Sequence, residues 1–151
     1  MSLNAEAWTW PDLPFAIIDT GVYVSHWEGA LDDQALATVR KKFIVRQSCV
    51  VLSELRRGAR TPQARRLVEE LRHLTKIHWT PHTADWWKAG VLIQRIGDAH
   101  DWDRRKRQEF QNDALIALTA RRYGATIITT NRIDFELLAK ELKVRVLVVQ
   151  A

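Results

Sequence analysis

Three apolar runs constrain this chain most: Phe15-Ala16-Ile17-Ile18, Ala125-Thr126-Ile127-Ile128 and Val144 to Val149. They are short, and the last is nearly continuous in apolar residues, the mark of a parallel strand covered on both faces. Helical stretches separate them. Leu31, Ala35, Leu36 and Val39 have the spacing of one helix face. Ser48 suits the cap of a helix running to about Leu55 and ended by Gly58. Gln63 to Leu74 is amphipathic, with Leu67, Val68, Leu71 and Leu74 on one side. A further helix is expected over Thr83 to Ile96, and another over Ile133 to Leu142. Asn112 to Tyr123 is apolar on nearly every side, as in a helix buried in the middle of a fold. Phe43-Ile44-Val45 and Ile77-His78-Trp79 add short extended pieces, whereas the polar segment Gly97 to Gln111 suits helix or loop. Alternation of strand and helix with short connections predicts a three-layer α/β/α fold, with a short, mainly parallel central sheet and right-handed crossovers. The expected organisation is an N-terminal arm over 1–14 and one domain over 15–151.

Composition narrows the chemistry. Of 151 residues only Cys49 is a cysteine, so there is no internal disulfide and no cysteine cluster for zinc. No apolar run approaches the roughly 20 residues of a membrane span, and Met1 to Pro14 lacks the order of a signal peptide. A reducing cytoplasm is therefore the expected location. A net charge of +5 permits an acidic partner, including nucleic acid. Trp8 and Trp10 in the arm are expected to cover some surface, and Trp86-Trp87 to lie in the core or an interface.

Polar residues recur where apolar elements meet turns. Asp19 closes the first apolar run, Glu54 lies inside Val50-Val51-Leu52-Ser53-Glu54-Leu55, and Asp113 opens an apolar stretch. The cluster Thr129-Thr130-Asn131-Arg132-Ile133-Asp134 follows the second run. Each has an ordinary structural reading. Asp19 and Asn131 suit helix caps, and Asp113 and Asp134 suit first helical turns. Glu54 has Arg56, Arg57 and Arg60 as available ion-pair partners. Jointly they point elsewhere. In a parallel sheet, Asp19 and Thr130-Asn131 fall at strand carboxyl ends, where such sheets build their sites. Converging carboxylates repel one another, and an oxygen-only set suits Mg²⁺ or Mn²⁺. The chain has no phosphate-binding glycine loop of the Walker or dinucleotide kind, no nucleophile elbow and no zinc-protease histidine pair. Its basic runs, Arg104-Arg105-Lys106-Arg107 among them, read as solvated faces. Arg56, Arg57 and Arg60 are the exception, since they follow Glu54 directly and lie where incoming phosphates would meet them.

These residues resemble the PIN domain, and especially the VapC-like toxins of toxin–antitoxin pairs. Ile17-Ile18-Asp19-Thr20, Val51-Leu52-Ser53-Glu54-Leu55-Arg56-Arg57-Gly58, Asn112-Asp113-Ala114-Leu115-Ile116-Ala117 and Thr129-Thr130-Asn131-Arg132-Ile133-Asp134-Phe135 match its four motifs in order. Gly21 stands where the family often has asparagine. The resemblance implies an RNA endonuclease using Mg²⁺ or Mn²⁺, commonly a homodimer, inhibited by a small cognate antitoxin. It implies Asp19 and Asp113 as metal ligands, Glu54 holding metal-bound water or a second ion, and Asn131 or Asp134 completing the shell. Thr20, Thr130, Arg56, Arg57 and Arg60 would meet the substrate. Two rivals stand beside it: a catalytically inactive PIN-like module that binds RNA or protein, and a receiver-like phosphoryl-transfer domain. The second usually shows paired acids after its first strand and a lysine after its last, and neither is evident.

Overall fold

The structure, a computed structural model, describes residues 13–150. Trp8, Trp10 and nearly all of the N-terminal arm lie outside the described residues. Strand β1 (Phe15–Ile18) has β2 (Ile44–Val45) on one side and β5 (Thr126–Thr129) on the other, with β6 (Val146–Val148) beyond. All of these pairings are parallel. Ile17 faces Ile127 and Ile18 faces Ile128, so the two most buried strands of this sheet lie side by side at its centre. A separate parallel pair joins β3 (Gln47–Ser48) to β4 (His78–Trp79).

Seven helices complete the described residues: α1 (Thr20–Trp27), α2 (Asp33–Lys42), α3 (Cys49–Gly58), α4 (Pro62–His73), α5 (Thr83–Ala99), α6 (Arg104–Arg122) and α7 (Arg132–Leu142). None is long and apolar enough to cross a membrane. Their starts follow from the sequence. The Ser48 hydroxyl accepts from the N–H groups of Val50 and Val51, and the Thr61 hydroxyl accepts from Ala64 N–H. Helix α6 runs against β1 and β5. Its residues Phe110 and Ala114 to Ala120 are all buried, as the all-round apolar pattern of that stretch predicts.

Four expectations need correction. First, Gly97 to Gln111 is mostly helix: α5 continues to Ala99, a tight turn follows with Asp101 at φ 53°, and α6 begins at Arg104. Asp103 caps α6 by accepting from Lys106 N–H at 2.8 Å. Arg107 clamps the turn, donating to the Trp102 carbonyl and to Asp98, each at 2.9 Å. Asp113 is therefore no first-turn residue but lies well inside α6. Second, β6 is a sheet edge with Leu147 42% exposed, not a strand covered on both faces. Third, Trp86 and Trp87 are 52% and 80% exposed, so of the two expected places, core or interface, the core is excluded. They are adjacent on the outer side of α5, whose buried stripe is Asp85, Ala89, Leu92, Ile96 and Gly97. Fourth, Leu74 falls past the end of α4 and is exposed.

Asp85 is the one buried acid away from the sheet edge among the described residues. It caps its own helix by accepting from His82 N–H at 2.8 Å, and it takes two donors from Arg122, at 2.7 and 3.3 Å. Burial pushes its pKa upward, but the Arg122 and His82 hydrogen bonds prevail and hold it below the ordinary value. This pair ties the start of α5 to the end of α6. Asp85→Ala is expected to lower stability by about 1–3 kcal/mol, measured by urea denaturation. A loss below a few tenths of a kcal/mol would show that the pair does not hold the helices together.

Candidate active site

The two central strands end together. Asp19 N–H donates to the Ile128 carbonyl at 2.8 Å, continuing the β1–β5 pairing one residue past the strand. This brings Asp19 beside Thr129, whose hydroxyl donates to the Asp19 carboxylate at 2.9 Å. Asp19 stands at the cap position of α1 yet makes no side-chain capping bond, so the structural reading of this residue fails. It is 6% exposed. Burial raises its pKa to about 6 against the Thr129 hydroxyl and the Thr20 N–H, with Glu54 adding a smaller upward push.

Glu54 reaches the same edge from α3. It is half-buried and accepts from the Thr20 hydroxyl at 2.8 Å. It forms no ion pair with Arg56, Arg57 or Arg60, which are exposed just beyond it. Asp113 enters from α6 and Asp134 from the first turn of α7. The pKa of Asp113 rises to about 8, through burial first, then through the charges of Asp19, Asp134 and Glu54. Asp19, Asp134 and Glu54 thus lie near enough for their charges to act on Asp113.

Asp134 is only 8% exposed and its carboxylate is held twice. Lys106 Nζ lies 2.8 Å from Oδ2, and the Asn131 amide donates to the same oxygen at 3.1 Å. Asn131 Oδ1 in turn accepts from Asp134 N–H at 3.3 Å, so Asn131 caps α7 as well as supporting Asp134. Thr130 is half-buried beside Gly21. A Cβ at position 21 would come within 2.8 Å of the Thr130 hydroxyl, so a side chain there requires Thr130 to move. Glycine at position 21 thus leaves room for Thr130.

Two clefts flank the centre. One of about 440 Å³ is lined by Thr20, Glu54, Trp27 and Leu67, among others. The other, about 480 Å³, is lined by Trp102, Lys106, Asp134 and Leu137, among others. Among the described residues no three acids stand as a preformed metal cage. The donor set nevertheless suits a hard cation: oxygens only, mutually repelling, with Asp113 drawing no hydrogen bond to offset its burial.

The structure brings together Asp19, Glu54, Asp113 and Asp134, with Thr20 and Asn131 bonded to them. Thr130 lies beside α1, and the three arginines lie outside the acidic centre at the end of α3. Two residues were missed. Thr129 was a visible hydroxyl at the strand end. Lys106, assigned to a solvated face, is Asp134's ion-pair partner. Lys106, Phe110 and Asp113 recur at helical spacing, a signal hidden by starting the helix at Asn112.

The family model of the PIN domain matches residues 16–141. This chain belongs to the PIN domain family. Its fold is similar to VapBC-1 from nontypeable Haemophilus influenzae, at a TM-score of 0.66 and 18% identity, covering 89% of this chain and 97% of that one. VapBC2 from Rickettsia felis, bound to a DNA fragment from their promoter, gives 0.62 and 18%, over 88% and 97%. FitAcB from Neisseria gonorrhoeae gives 0.57 and 17%, over 87% and 95%. At such identities the likeness speaks for the PIN fold alone. No curated protein matches the chain by sequence.

Proposed function

We propose that this PIN domain is an RNA endonuclease dependent on Mg²⁺ or Mn²⁺, and the toxin of a toxin–antitoxin pair. The observation that carries the reading is the convergence of Asp19, Glu54, Asp113 and Asp134 at the carboxyl edge of a parallel sheet. Asp19 and Asp113 would hold the ion directly, with Glu54 at the facing side and Asp134 as the fourth acid. A bound divalent ion would neutralise these charges and activate water for attack on phosphorus. Thr129 and Thr20 aim the Asp19 and Glu54 carboxylates by donating to them. The cleft beside Thr20 and Glu54 would admit the substrate strand. We propose with it a small antitoxin partner, which the likeness to the VapBC and FitAcB structures supports, and further a homodimer and a cytoplasmic setting.

The rival is a PIN-like module that binds RNA or protein without cleaving. Incubating the purified chain with RNA and Mn²⁺, then with EDTA, separates the two. Cleavage abolished by EDTA is expected. Bound but intact RNA at saturating Mn²⁺ would favour the binding module.

Arg56, Arg57 and Arg60 are proposed to meet the RNA backbone at the mouth of this site. The triple alanine variant is expected to bind RNA more weakly, with its salt slope reduced by about one unit for each phosphate no longer neutralised. An unchanged slope across a salt titration returns these arginines to the solvated face.

A further inference from the structure

We propose that Lys106 is a resident cation of the acidic centre, occupying the Asp134 side where a second metal ion would otherwise bind, so that the centre takes up one divalent ion. The proposal rests on the metal-dependent reading above.

The ammonium is placed, not free. It lies 2.8 Å from the Asp134 carboxylate, 5.1 Å from the Trp102 ring centroid and 5.8 Å from that of Phe110. Phe110 is wholly buried and Trp102 stacks against its edge, so the aromatic floor under the ammonium is fixed by the core. Lys106 and Asp113 sit on the same helix, α6, and the lysine's charge offsets part of the repulsion that Asp113 feels from the other three acids. Asn131 donates to the same Asp134 oxygen and fixes the carboxylate toward the lysine. A divalent ion brought against Asp134 would meet both donors at close range, and the fixed ammonium would repel it. Among the described residues no cation stands against Asp19, Glu54 or Asp113 as Lys106 does against Asp134. Asp19 accepts from the Thr129 hydroxyl and the Thr20 N–H, and Glu54 from the Thr20 hydroxyl, all neutral donors that leave these carboxyl groups open to an ion.

Mn²⁺ titration of the full chain, by calorimetry with free Mn²⁺ followed by electron paramagnetic resonance, reads the stoichiometry. One ion per chain is expected for the native protein and for Lys106→Arg. Two are expected for Lys106→Met and for Lys106→Gln, with Mn²⁺ raising their melting temperatures more than that of the native protein. A purely packing role for Lys106 would lower the melting temperature without creating a metal site. One ion at unchanged affinity in both neutral variants would overturn the proposal. The native stoichiometry decides independently of variants that fail to fold: two ions in a chain with metal-dependent cleavage overturns the role of Lys106 alone. No bound Mn²⁺ at millimolar concentration overturns the metal-dependent reading with it.

Discussion

Asp113→Asn is expected to reduce RNA cleavage by at least roughly 100-fold, the scale seen when one preorganised electrostatic group is lost, while making the metal-free protein more stable. The two effects share one cause. Asp113 is pushed to about 8 by burial and by three neighbouring carboxylates, so at neutral pH it is the group most opposed to its own ionised form. Asparagine keeps the shape and removes the charge. Folding then no longer has to protonate this carboxyl, or hold it charged against Asp19, Asp134 and Glu54, and the melting temperature in EDTA should rise by roughly 2–4 °C per kcal/mol relieved. The same substitution removes a proposed ligand, so Mn²⁺ should stabilise the variant less than the native chain. Cleavage assays and calorimetry with and without EDTA read all three quantities. Near-native cleavage, or a lower melting temperature in EDTA, would remove Asp113 from the centre of the site. Asp19→Asn should also abolish cleavage. Its gain in stability should be smaller, because Asp19 already receives the Thr129 hydroxyl and its pKa is less displaced.

The layered fold was legible in the sequence because its central strands are written without ambiguity. Phe15 to Ile18 is wholly apolar, Ile127-Ile128 sits between β-branched threonines that suit a strand, and Ser48 marks the start of α3 by its chemistry. The acids stood out for a related reason, since carboxylates at the ends of buried runs are costly to keep without a purpose. Lys106 was not. Its neighbours Arg104, Arg105 and Arg107 share its charge, and only the continuous register of α6 separates the lysine that turns inward from arginines held elsewhere. Nor was the exposure of Trp86 and Trp87 legible. Composition ranks tryptophan as a core residue, but the buried stripe of α5 passes through Asp85 and Ala89, and Arg122 is what makes a buried aspartate tolerable there. Both errors concern side chains whose surroundings are set by residues far along the chain.

The metal-free protein is expected to lose stability as pH rises from about 5 to 8, against the usual behaviour of a protein rich in paired carboxylates. The sign follows from the direction of two shifts. Asp19 and Asp113 are raised from 3.8 to about 6 and about 8, so between these limits the native state binds more protons than the unfolded chain. Stability then falls with rising pH. The stabilising protonated forms are fully present below about 4, and their contribution is lost as pH passes first the Asp19 value and then that of Asp113. Each unit of displacement corresponds to about 1.4 kcal/mol. The acids interact and Asp113 retains some access to solvent, so the net loss is on the order of a few kcal/mol, with its steepest part below pH 6, where both groups hold protons that the unfolded chain has lost. A bound divalent ion favours the ionised forms and reverses the trend, so stabilisation by Mn²⁺ should grow with pH over the same interval. Asp113→Asn should flatten the upper part of the curve and leave the Asp19 step. Urea denaturation at pH 5, 6, 7 and 8, in EDTA and in Mn²⁺, measures each of these. A stability in EDTA that stays level or climbs across that interval would mean the four carboxylates are not pressed together, and the case for a cation at the sheet edge would fall with them.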